Sequence, residues 1–252
     1  MTGPVALHGG GEFLPGDEPF LRALLEAAAN PAAERAADEA IRVVLVPTAS
    51  GGSNPHATAQ FGARAFEDLA GQLGRPLRVD VARVVDPASA GDAASASVIA
   101  AADLVYLPGG DPALIPAILP GTLAWRSVEA ARARGAVLAG ASAGAMALGP
   151  LTWTPGGIVP GLSVVPGLVV FPHADATQWE RQTARFPAAA SNGLGILGLG
   201  ERTGIISTRP NGAAEGGPRT WRVVGEAEVR WLAPGAATPA ILVDGETLDL
   251  PG

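Results

Sequence analysis

The pentapeptide Gly140-Ala141-Ser142-Ala143-Gly144 is the stretch whose residue types and spacing could carry a reaction. In a G-x-S-x-G pattern a serine sits on a sharp turn between a strand and a helix, and only small neighbours let that turn close around a strained backbone. The helix that follows adds free N–H groups and a positive dipole end beside the hydroxyl, which suits a developing oxyanion. In so Gly- and Ala-rich a stretch the competing explanation is plain close packing of a strand on a helix. The position of the motif, after an apolar run and before a helical one, favours the nucleophile.

An activated serine needs a base, and the histidines are His8, His56 and His173. Only His173 follows Ser142, and no Asp or Glu lies between them. If His173 is the base, the order serine, acid, histidine is excluded. The order serine, histidine, acid remains, with Asp175, Glu180 and Glu201 as candidates to orient the imidazole and stabilise the imidazolium. His173 ends the apolar run Leu168–Pro172, as suits a side chain delivered from a strand end into a cleft. Upstream, Tyr106–Pro112 (YLPGGDP) closes another apolar run, and its glycine pair lets a backbone N–H approach a reacting carbonyl. Asp111 and Pro112 equally suit the N-cap and first position of a helix. Gly9, Gly10 and Gly11 lack full G-x-G-x-x-G spacing, so a dinucleotide site is not expected.

Composition narrows the chemistry further. All 17 basic residues are Arg, so Schiff-base chemistry, pyridoxal-phosphate attachment and a P-loop lysine are excluded. With no Cys, a thiol nucleophile, disulfides, thiolate zinc and iron–sulfur ligation are excluded as well. What is left is oxygen nucleophiles, carboxylates and imidazole, with no metal or organic cofactor expected. A formal net charge of −7 opposes sequence-independent binding to nucleic acid or to an anionic membrane surface. The start of the chain has neither a basic region nor a long apolar segment, from which a cytoplasmic location is expected. From Gly135 to Ala174 no Asp, Glu, Lys or Arg occurs, but Pro150, Pro155 and Pro160 interrupt the run, which reads as buried strands and tight turns rather than a membrane helix.

The elements that must position these residues follow from the apolar pattern. Val5–Leu7, Arg42–Val46, Val79–Val85, Leu104–Leu107 and Ala136–Ala139 read as strands, most of them apolar enough to be covered on both faces. Between them Glu18–Ala29, Thr58–Leu73, Ser95–Ala101 and Leu123–Arg134 read as helices, and Pro31–Ala40 as a solvated helix extension or loop. Strand and helix in alternation predict an α/β fold: a three-layer, doubly wound, mainly parallel sheet with its site at the carboxyl ends of the strands. After Pro150 shorter strands predict a small C-terminal β extension, with a hairpin-like pair at Trp221–Val224 and Glu228–Trp231 and a last strand at Ala240–Val243. No repeat or linker divides the chain, so residues 1–252 are expected to form one domain.

Taken together, Leu7–Glu12 (LHGGGE), Leu107–Asp111 (LPGGD), Gly140–Met146 (GASAGAM), Val170–His173 (VFPH) and Gly198–Thr203 (GLGERT) resemble the serine peptidase family of dipeptidase E and cyanophycinase, which has a class I glutamine amidotransferase-like fold. The resemblance covers most of the chain. It implies Ser142 as nucleophile, His173 as general base, Glu201 as orienting acid, and the backbone N–H groups of Gly110 and Ala143 as oxyanion hole. It also implies a short or aspartyl-type peptide as substrate and a homodimer. Relatives that recognise an aspartyl group carry arginines soon after the histidine. Here Ala174, Asp175, Ala176 and Thr177 come first, and Arg181 and Arg185, four apart on one predicted helix face, are the nearest cations. Asp111 is a further candidate for substrate contact, and Trp153 and Trp179 for walls of the cleft. Two other readings remain open: a non-catalytic binding protein on the same scaffold, and an esterase or amidase using the same triad.

Overall fold

The computed structural model describes residues 2–29, 39–185, 193–208 and 219–250. The Pro31–Ala40 expectation therefore falls outside the described residues up to position 38.

Five strands, β1 (Val5–His8), β2 (Ile41–Leu45), β3 (Leu77–Val81), β4 (Leu104–Leu107) and β5 (Val137–Ala141), lie parallel in the order β1-β5-β4-β2-β3. The crossovers supply helices α1 (Glu18–Ala28), α2 (Pro55–Leu73), α3 (Ala93–Ala100), α4 (Leu114–Ile118) and α5 (Leu123–Ala133), and α6 (Ala143–Leu148) follows β5. Successive side chains of a strand point to opposite faces, so each apolar run feeds two cores at once. On one face Ala6, Val43, Leu45, Tyr106 and Ala139 pack against Phe20, Leu24 and Leu25 of α1 and Phe66 and Leu69 of α2. On the other, Leu7, Val44, Val105, Leu107 and Leu138 pack against Ile99 of α3 and Trp125, Val128 and Ala131 of α5. These are the three expected layers.

Capping sets the helix starts. The Asn54 side chain accepts the Ala57 N–H at 3.0 Å with Pro55 at the first turn, which starts α2 before the expected Thr58. Asp92 accepts the Ser95 N–H at 2.8 Å and starts α3 two residues early. Asp111 does not cap a helix: its carboxylate accepts the Ala113 N–H at 2.9 Å in a turn, and α4 begins only at Leu114.

Beyond α6 come the ribbon β6 (Leu151–Thr154) and β7 (Gly157–Pro160), β8 (Leu168–Phe171), α7 (Ala176–Arg185), β9 (Gly195–Leu199), β10 (Thr203–Thr208), β11 (Arg219–Gly225), β12 (Val229–Leu232), β13 (Ala240–Leu242) and β14 (Thr247–Leu250). Strands β10, β11 and β14 continue the main sheet antiparallel beyond β1, giving eight strands in all. A second sheet runs β13-β12-β9-β8. The expected hairpin of Trp221–Val224 with Glu228–Trp231 is not formed, because β11 pairs with β10 and β14 while β12 pairs with β9 and β13. Side-chain and backbone bonds at the bend divert the chain: the Thr203 hydroxyl accepts the Ala227 N–H at 2.7 Å, and Glu228 C=O accepts the Gly200 N–H at 3.2 Å. The last strand is β14 rather than Ala240–Val243, and it closes the main sheet against β11. No helix among the described residues is long and apolar enough to cross a membrane.

Trp221 is fully buried in the antiparallel extension, whereas Ile241 on edge strand β13 is exposed. Trp221→Ala should lower the unfolding free energy by about 3–5 kcal/mol and Ile241→Ala by less than about 0.5, as read from urea denaturation. Equal effects would contradict the placement of the core.

Candidate active site

Ser142 stands at the carboxyl end of β5 with φ 47° and ψ −112°, a backbone conformation costing on the order of 1–3 kcal/mol for a residue with a side chain. The turn closes because Gly144 lies against β4: a Cβ there would sit 2.1 Å from Leu107 O. His173 follows β8, and Glu201 lies in the turn between β9 and β10. All three therefore project from strand ends at one edge of the fold.

A glycine turn after β1 brings them together. The Ser142 N–H donates to His8 C=O at 2.9 Å, the His173 N–H to Gly9 C=O at 2.8 Å, and the N–H of Arg202, next to Glu201, to Gly10 C=O at 2.7 Å. Three successive carbonyls thus each hold one of the three segments. Gly10 has φ 111° and lies under the imidazole, where a Cβ would come within 2.2 Å of His173 Cε1. The turn is anchored from below by His8, which is fully buried, stacks on Phe20 with ring centroids 4.6 Å apart, and has Nε2 2.9 Å from Asp17 Oδ1. That contact is close, but it is not a hydrogen bond.

The result is a continuous chain of polar contacts: Ser142 Oγ lies 2.9 Å from His173 Nε2, and His173 Nδ1 lies 3.0 Å from Glu201 Oε1. With the proton on Nδ1 donated to the carboxylate, Nε2 is left to accept from the serine hydroxyl. The histidine and glutamate side chains are 42% and 53% exposed. A contact that open contributes about 0–1 kcal/mol and does not hold the geometry by itself, so the backbone bonds to the glycine turn must. Of the other acid candidates, Asp175 accepts the Gln178 N–H at 2.7 Å at the start of α7, and Glu180 is exposed on that helix. His56 is exposed at the start of α2.

A cavity of about 370 Å³ opens beside Ser142, lined by Gly110, Ala143 and His173, by apolar Pro112, Met146, Phe171 and Trp153, and by Gln178, Gln182 and Arg181. This size and mixture suit a small ligand oriented by a few polar groups. Arg181 reaches it from α7, while the side chain of Arg185 lies outside the described residues. Asp111 is exposed and outside the cavity lining, its carboxylate engaged by Ala113. Trp153 walls the cavity, but Trp179 is buried against Phe171, ring centroids 6.2 Å apart, and belongs to the core. Burial, with Asp17 and Glu12 nearby, pushes the Tyr106 phenol well above its ordinary pKa, so it stays neutral beneath the site. Among the described residues no group of three or more His, Asp or Glu is arranged to hold a metal ion.

Two residues near the site were not singled out from sequence. Glu12 accepts the Gly109 N–H at 2.8 Å, and Ser50 Oγ donates to Gly109 C=O at 2.9 Å. The motif ending in Glu12 carried a signal for the first; Ser50, in a short 3-10 turn after β2, carried none.

The sequence model of peptidase family S51 matches residues 22–206. Among solved structures, a peptidase from an acI-B1 actinobacterium is similar at 23% identity and a TM-score of 0.73, covering 99% of this chain and 98% of that one. A candidate peptidase E protein from Listeria monocytogenes EGD-e is similar at 15% identity and a TM-score of 0.57, covering 90% of this chain and 100% of that one. No curated protein sequence matches.

Because His173 rests on Gly10, Gly10→Ala should displace the imidazole and slow reaction of the serine with a fluorophosphonate by about 10²-fold, the scale of a 1 Å misplacement, with a circular dichroism spectrum like that of wild type. Labelling at the wild-type rate would contradict the packing described.

Proposed function

The chain belongs to peptidase family S51, a family of serine-type peptidases, and from that premise we propose that it hydrolyses the peptide bond of short peptides through an acyl-enzyme on Ser142. The observation that carries this reading is the continuous contact from Ser142 Oγ through His173 to Glu201 at the mouth of a cavity of small-ligand size. Ser142 Oγ attacks the scissile carbonyl while its proton passes to His173 Nε2, and Glu201 stabilises the imidazolium and fixes the ring. The carbonyl oxygen becomes an oxyanion held by the N–H groups of Gly110 and Ala143, both on the cavity wall. His173 then gives its proton to the leaving amine, the C–N bond breaks, and water activated by the same imidazole releases the acyl group.

The substrate side of the proposal rests on the cavity. At about 370 Å³ it is of the size that takes a small ligand, which favours short peptides over folded proteins. Arg181 supplies a cation at its rim, supporting a preference for a carboxylate-bearing residue such as an aspartyl group. A single working unit over residues 1–252, a homodimeric assembly and a cytoplasmic location are parts of the same proposal.

Ser142→Ala and His173→Ala should each lower kcat by at least about 10³-fold, and Glu201→Gln by less, with unfolding free energies within roughly 1–2 kcal/mol of wild type. The assay is a panel of aspartyl dipeptides, β-aspartyl dipeptides, neutral dipeptides and simple esters. Turnover of esters alone would replace the peptidase reading with an esterase, and full activity of His173→Ala would remove the base. Arg181→Ala should raise KM for acidic peptides by about 10-fold, the scale of one charge-assisted hydrogen bond, and leave neutral peptides unchanged.

A further inference from the structure

The Leu7–Glu12 motif contains a carboxylate that the triad does not use. Glu12 reaches across from the glycine turn, and its Oε1 accepts the Gly109 N–H at 2.8 Å. On the other side of the same residue, Ser50 Oγ donates to Gly109 C=O at 2.9 Å, and the neighbouring Ala49 C=O accepts the Asp111 N–H at 2.7 Å. Ser50 is only 2% exposed, so its hydroxyl is committed to this contact rather than to water. Both polar groups of Gly109 are therefore held, from two elements far apart in sequence.

The consequence falls on the next N–H. The peptide joining Gly109 to Gly110 is planar and trans, so its N–H points opposite to its C=O. With the carbonyl turned toward Ser50, the Gly110 N–H faces away from it, and Gly110 lines the cavity that Ser142 also lines. The loop is pressed against the nucleophile: a Cβ on Gly109 would lie 3.0 Å from Ser142 Cβ. Among the described residues no backbone bond engages that N–H. Donation to the carbonyl also polarises the peptide, making its N–H a better donor.

We propose that Glu12 and Ser50 are positioning residues that clamp the Gly109–Gly110 peptide so that the Gly110 N–H is fixed where the oxyanion forms. This rests on the hydrolase reading above and adds to it two residues that touch neither substrate nor reacting atoms. The clamp acts through hydrogen bonds rather than charge, so an uncharged acceptor at position 12 suffices.

The test is the rate of covalent labelling by a fluorophosphonate, whose phosphoryl oxygen takes the oxyanion position, resolved into the binding constant KI and the limiting rate kinact, with thermal unfolding of every variant alongside. Removing an oxyanion donor itself costs about 10²–10³-fold, so loosening its support in Glu12→Ala and in Ser50→Ala should lower kinact by about 10-fold with KI within about twofold of wild type. Glu12→Gln, which keeps the acceptor, should restore kinact to within about threefold of wild type. Folded Glu12→Ala and Ser50→Ala proteins that label at the wild-type limiting rate would overturn the clamp, as would Glu12→Gln as slow as Glu12→Ala. Should Ser50→Ala fail to fold, the partly exposed Glu12 pair decides alone. Wild type that does not label at Ser142 overturns the hydrolase reading itself, and the clamp with it.

Discussion

Everything at the site depends on three consecutive carbonyls. His8, Gly9 and Gly10 give their C=O groups to the N–H groups of Ser142, His173 and Arg202, and among the described residues no other segment bonds to all three in this way. These segments are brought together from β5, β8 and the turn after β9, which belong to two different sheets. Each bond contributes only about 0.5–1.5 kcal/mol. Their value lies in registration: a strand end that slides by one residue loses its bond and its place at once. The fully buried His8, stacked on Phe20 beside Asp17, makes the floor under the turn rigid.

The same region concentrates backbone strain. Ser142, His173 and Arg202 have φ of 47°, 53° and 54°, where residues other than glycine are rarely found. At about 1–3 kcal/mol each, such conformations persist only when their surroundings over-determine them. Here the surroundings are the two cores on either face of the sheet and the glycine turn itself. Strain at His173 and Arg202 accompanies solvent exposure of the His173 and Glu201 side chains: burial does not hold these side chains, so the backbone beneath them does.

Much of this was legible in the sequence, and for physical reasons. Parallel strands buried on both faces leave continuous apolar runs, which is why β1, β2, β4 and β5 fall within a residue or two of their expected bounds. Ser142 and His173 stand out because each ends such a run, and the resemblance selects Glu201, which spacing alone does not put ahead of Asp175 and Glu180. The antiparallel extension was less legible. Trp221–Val224 and Glu228–Trp231 have the spacing of a hairpin, and nothing local says that Thr203 and Gly200, far back in the chain, hold the bend and send the two strands into separate sheets. Strands β9, β10 and β14 escaped notice because glycines and polar residues break their apolar pattern, and their pairing is with distant partners. Ser50 was invisible for the same reason: a serine in a turn carries no mark of the carbonyl it will meet.

Hydrolysis as proposed requires that a peptide covalently acylate Ser142. Mixing enzyme with a turned-over peptide, quenching in acid within the first turnovers and mapping the digest by mass spectrometry measures this directly. An acyl adduct is expected on the peptide containing Ser142, at its hydroxyl, accumulating and then decaying as product forms. Turnover with no covalent intermediate, or with the adduct on another residue, would contradict it.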